Sequence, residues 1–151
     1  MKRAIALVAL IVSACGGAKA APDRDAFIGA WRGVGVLTIS GDKGGYGTKS
    51  AEETLTISPS SMGEGGIWID IKNLGCGLPA TVTSDKTIAA TIGERCTSFF
   101  DNCSYTYVTS SGSGTRTENT LRIAMAGGLS GWCGLQSMSG QWTLTVDGSK
   151  R

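Results

Sequence analysis

From residue 30 onward, apolar and polar positions alternate with a period of two between clusters of Gly, Ser, Asn and Asp. No stretch there carries a sustained apolar period of 3.6, so the pattern predicts strands and no helices. Eight short strands are expected, at 31–40, 52–58, 67–72, 78–84, 87–94, 104–109, 117–125 and 140–147. The third is the clearest, with Ile67, Ile69 and Ile71 on one face and Trp68, Asp70 and Lys72 on the other. In the second, Leu55 and Ile57 oppose Thr54 and Thr56, and Asp85-Lys86 links the fourth strand to the fifth as a two-residue hairpin.

Eight strands with short links predict an all-β domain, a small antiparallel up-and-down barrel whose closure removes its edges; a β-sandwich is the alternative. An eight-stranded interior is just wide enough to be filled by side chains or to hold one small ligand. Leu55, Ile57, Ile67, Ile69, Ile71, Val82, Ile88, Ile92, Leu121, Ile123, Trp142 and Leu144 are the expected fillers, and a filled interior would push function to the rims and outer wall. Strands that alternate in direction put the start of the first and the end of the eighth at one rim. Cys76, Cys96, Cys103 and Cys133 then fall at the opposite rim.

The chain has 151 residues, room for one domain. Glycine is abundant at 23 residues, yet an apolar fraction of 41% supports a folded core. Setting aside Lys2 and Arg3, which belong to a leader, 12 of the 14 basic residues remain against 12 acidic ones. That neutral, scattered charge lacks the concentrated basic face that nucleic acid requires. Four cysteines lie within the domain, the even number that an exported disulfide framework predicts. No C-x-x-C knuckle occurs among them, which sets zinc aside. Three pairings are open; the reading of residues 97–102 as a loop leans to Cys96 with Cys103, leaving Cys76 for Cys133.

Lys2 and Arg3 precede an apolar run at residues 4–14, too short to span a bilayer as a helix, where about 20 residues are expected. Val12-Ser13-Ala14-Cys15-Gly16 resembles the lipobox of bacterial lipoproteins. The resemblance implies a signal peptide at 1–14, lipidation of Cys15, a small-residue tether at 15–25 and a domain at 26–151. Gly16 after the cysteine implies delivery to the outer membrane, with the membrane itself as a partner through the lipid. Ala18-Lys19-Ala20 offers a competing site for ordinary signal peptidase, which would release the protein into the periplasm or medium.

The chain has no histidine, which removes the usual general base and the commonest metal ligand. Neither catalytic residues nor a metal or cofactor are therefore expected. Glu52 and Glu53 are adjacent and point to opposite faces, one exposed and one at a rim, while Asp70 and Lys72 form a solvated surface pair. Gly33-Val34-Gly35 precedes no helix and reads as a bent strand. Candidate contact residues are Trp68, on the polar face of its strand, and Phe99 and Phe100, held between cysteines.

Gly29-Ala30-Trp31, opening the first strand, resembles the G-x-W entrance of lipocalins and other calycin barrels, and the pattern recurs loosely as Gly140-Gln141-Trp142. Unlike lipocalins, the sequence shows no clear N-terminal 3₁₀ segment and no helix after the last strand. The chain with its segment 76–82 also resembles small disulfide-bonded bacterial lipoproteins, a likeness that implies no activity. The expectation is a tethered, non-enzymatic binding or interaction module of the envelope, with a protein, polymer or small apolar ligand as partner. A structural or inhibitor-like lipoprotein is the second reading. An integral eight-stranded outer-membrane barrel is the third, which the sparse aromatics and short strands disfavour.

Overall fold

The computed structural model describes residues 21–42, 47–100 and 102–151; the lipobox, both cleavage sites and Cys15 lie outside the described residues. Within them the chain is all-β, with nine strands and no helix. These are β1 (Gly29–Gly41), β2 (Thr48–Pro59), β3 (Gly66–Ile71), β4 (Cys76–Ser84), β5 (Thr87–Ala90), β6 (Arg95–Phe100), β7 (Cys103–Arg116), β8 (Thr120–Cys133) and β9 (Gln136–Lys150). All pair antiparallel in one sheet of order β5-β4-β3-β2-β1-β9-β8-β7-β6, and a further pairing of β5 with β7 closes it into a barrel-like ring.

The ninth strand arises where one was expected at 87–94. The chain leaves the sheet after Ala90, turns through Gly93 (φ 83°), and rejoins β7 as β6. Ile92 belongs to that turn and is 61% exposed, which corrects its expected place inside; the other eleven expected fillers are buried. The strands β7 to β9 run 14, 14 and 15 residues, well beyond their expected lengths, through Gly- and Ser-rich sequence that reads as turn. Gly127 and Gly131 explain the continuation, because a Cβ at either position would run into the carbonyl of β7 beside it.

The inward faces form one apolar core, in which the side chains of Trp31, Trp142 and Tyr107 are among the largest that are fully buried. One end of the ring is closed by the segment before β1. Two consecutive i→i+3 hydrogen bonds, from Phe27 N–H to Arg24 O (3.0 Å) and Ile28 N–H to Asp25 O (3.2 Å), make a tight turn. That turn delivers Phe27 into the core, where its carbonyl accepts from Trp31 Nε1 at 2.8 Å. The ammonium of Lys150 sits 5.5 Å from the centre of the Trp31 ring, and the Arg116 guanidinium 5.4 Å from that of Phe27. Both described termini therefore lie at the closed end, where the Arg151 N–H donates to the Ala30 carbonyl.

Two disulfides join Cys76 to Cys96 (Cα separation 5.7 Å) and Cys103 to Cys133 (4.2 Å), which corrects the expected pairing of Cys96 with Cys103 and Cys76 with Cys133. The reason is the hairpin made by β6 and β7. Cys103 faces Phe100 and Cys96 faces Tyr107, so the two cysteines are four positions apart along the ladder, about 13 Å. A disulfide needs its Cα atoms within about 7 Å. Cys103 instead faces Cys133 directly across β7 and β8. Cys76 begins β4 and reaches Cys96 across a seam where β6 pairs only with β7. The turns that carry Cys76, Cys103 and Cys133 lie at the end opposite the start of β1, where they were expected. Bonds of this kind point to an oxidising compartment.

Candidate functional site

At the end opposite Trp31 the ring is not filled. Leu37 and Ile39 of β1, Ala51 of β2, Leu144 of β9, Tyr105 and Tyr107 of β7, Leu74 and Phe100 line a half-open cavity of about 250 Å³, together with Gly35, Lys49, Glu53 and Asn73. The expectation of a filled interior therefore holds for the closed half only. The cause is local: Gly35 and Ala51 are register partners on β1 and β2, so two facing inward positions carry almost no side chain.

Glu53 occupies the floor of this space. Its inward direction follows from the pleat, since Glu53, Leu55 and Ile57 share one face, and its side chain is 2% exposed. Gly35 makes the position available, because an ideal Cβ there would stand 2.8 Å from Glu53 Cβ. Glu53 Oε1 accepts from the backbone N–H of Thr54 (2.9 Å) and of Asn73 (3.0 Å). The Asn73 side chain in turn donates from Nδ2 to the Glu52 carbonyl at 2.7 Å, fixing the turn after β3 against β2. Glu53 Oε2 has no hydrogen-bond or ion-pair partner among the described residues. Lys49 lies on the same face four residues away and makes no ion pair with it. Glu52, one step along, points outward and pairs with Arg32 on the wall.

Tyr107 forms the opposite side, its ring edge-on to Trp142 at 5.6 Å and 6.5 Å from Tyr105. Burial pushes the Tyr107 phenol above its ordinary value; the Ser98 hydroxyl beside it opposes the shift and Tyr105 adds to it. Ser98 Oγ is itself buried and makes no hydrogen bond of full geometry among the described residues. No group of three His, Cys, Asp or Glu side chains fit to hold a metal occurs among those residues. The result is a half-open recess with largely apolar walls, lined also by the side chains of Tyr105, Tyr107, Glu53, Asn73 and Lys49.

Of the residues expected to make contacts, Phe100 stands at the lip of this cavity and Phe99 on the outer wall beside it, 77% exposed. Phe99 faces Ser104, and Ser104 faces Trp132, so the two exposed aromatics flank one serine across three strands. The pattern of residues between cysteines pointed to the phenylalanines and missed Trp132. Trp68 is 40% exposed on the outer wall of β3, and its indole covers Gly77 in place of a side chain. Tyr105 and Tyr107 were not singled out by sequence, and Glu53, expected with Glu52 as one exposed and one rim residue, is instead buried inside the ring, as its parity with Leu55 on β2 dictates. No protein-family model and no curated protein sequence matches the chain.

Proposed function

We propose that this protein is an exported, lipid-tethered binding module without a catalytic step, which holds a small, largely apolar molecule in the open half of its ring. The cavity of about 250 Å³, walled largely by apolar side chains and floored by Glu53, is the observation that carries the reading. The lipobox-like segment before Cys15 and the two disulfides support export and tethering to the outer membrane. With the described termini at the closed end, a lipid on Cys15 would hold that end toward the membrane and turn the mouth away. The outer wall favours a water-facing ring over an integral barrel. On β2 it presents Ser50, Glu52, Thr54 and Thr56, and on β9 Gln141, Thr143, Thr145 and Asp147, while the apolar residues face inward. A second reading, contact with an envelope protein or polymer, draws on Phe99 and Trp132 standing exposed beside the mouth.

Mass spectrometry of the protein purified from its native envelope tests both parts. The expected result is an acylated N-terminus at Cys15 and a small molecule released on denaturation from wild type, but not from Ala51→Leu, which fills the cavity. An unmodified N-terminus at Ala21 would overturn the tether. Identical extracts from the two proteins would overturn the cup.

A further inference from the structure

We infer that the cup selects ligands bearing a cationic nitrogen, an ammonium group that pairs with Glu53 Oε2 while an apolar body lies against Leu37, Leu144 and Phe100; this rests on the binding reading above. Glu53 is 2% exposed and its Oε1 is fully engaged by two backbone N–H groups, which clamp the carboxyl plane and direct Oε2 into the cavity. A carboxylate withdrawn from water is costly unless it is paired. The described residues supply no partner: the three ion pairs engage Arg24, Arg32 and Arg122 elsewhere. Among the described residues Lys49 is the cation of the cavity wall, and four strand positions place its backbone about 13 Å from that of Glu53, toward the mouth.

Each alternative ligand class leaves something unmet. An anion would meet the carboxylate with like charge. A neutral hydroxyl would satisfy one lone pair and leave the charge uncompensated. An ammonium gives a charge-assisted hydrogen bond, the stronger kind, and the rings of Tyr105, Tyr107 and Phe100 around the space are surfaces that attract cations. The volume limits size, since 250 Å³ corresponds to about eight waters at about 30 Å³ each, so a single ring with a short arm fits.

The test uses three probes of one shape, 2-phenylethylamine, 2-phenylethanol and 3-phenylpropionate, titrated calorimetrically into the mature wild-type protein with disulfides intact. The amine is expected to bind at least about tenfold more tightly than the alcohol, and the propionate weakest of the three. In Glu53→Gln, which keeps an acceptor for the two backbone N–H groups, amine and alcohol should converge to within about threefold. The wild-type preference is read without any variant, so the inference is testable even if Glu53→Gln fails to fold. Equal binding of amine and alcohol to wild type overturns the cationic preference and leaves the cup standing. Preference for the propionate overturns it in favour of Lys49 as the recognising group. Absence of binding by all three at about 1 mM overturns the cup as well.

Discussion

Glu52 and Glu53 are identical side chains one pleat step apart, and that step separates a solvated ion pair from a buried carboxyl group. Glu52 and Arg32 are each about half exposed, so their pairing contributes less than about 1 kcal/mol. Glu53 owes its position to the inward parity it shares with Leu55 and to the absence of a side chain at Gly35. The sequence carried the first of these facts but not the second, because opposed small residues are visible only once β1 and β2 are in register. Tyr107 makes a prediction at the same scale. Burial holds its phenol above the ordinary 10.0, so as pH rises past 10.0 the unfolded chain loses this proton first. The native state then binds more protons than the unfolded one, and stability falls with pH from 10.0 up to the raised native value. The melting temperature of wild type should drop more steeply above pH 10 than that of Tyr107→Phe, followed by circular dichroism. Parallel curves would mean that the phenol is solvated.

Among the elements, β6 decides how the ring is held, and it is the one that alternation did not reveal. Cys96-Thr97-Ser98-Phe99-Phe100 does alternate, since Cys96 and Ser98 are buried while Thr97 and Phe99 are exposed, but a polar Ser98 at a buried position hides the period. The hairpin with β7 separates Cys96 from Cys103 and so dictates both disulfides. Their tasks differ. Cys103–Cys133 lies at the end of a long β7–β8 ladder already held by hydrogen bonds, whereas Cys76–Cys96 crosses the seam between β4 and β6. Loop-closure entropy for sequence separations of 20 and 30 is similar, about 3 kcal/mol for each bond. Replacing Cys76 and Cys96 together by serine should therefore cost about 3 kcal/mol in urea unfolding and also speed amide exchange along β6. The Cys103, Cys133 double variant should leave β6 protected, and equal exchange in the two variants would show that the seam is held by other contacts.

For the molecule as a whole, the assignment of turns to the two ends survived a wrong strand count. β5 and β6 both run antiparallel to β7, so they point the same way, and dividing one expected strand into two leaves every later direction unchanged. What alternation did not convey is that the two ends differ in substance. Trp31, Phe27 and the isoleucines of β3 pack the closed half solid, while Gly35 and Ala51 hollow the other, so the packed core and the cavity occupy opposite halves. Truncation should report that division. Trp31→Ala removes a fully buried ring from close packing and should cost about 4 kcal/mol. Leu37→Ala takes atoms from a wall that already borders empty space, and its loss should be about 1 kcal/mol. Urea titrations of both variants, analysed with a common slope, give the comparison; similar losses would mean that the mouth is as tightly packed as the floor, and the cup would then have no room for a ligand.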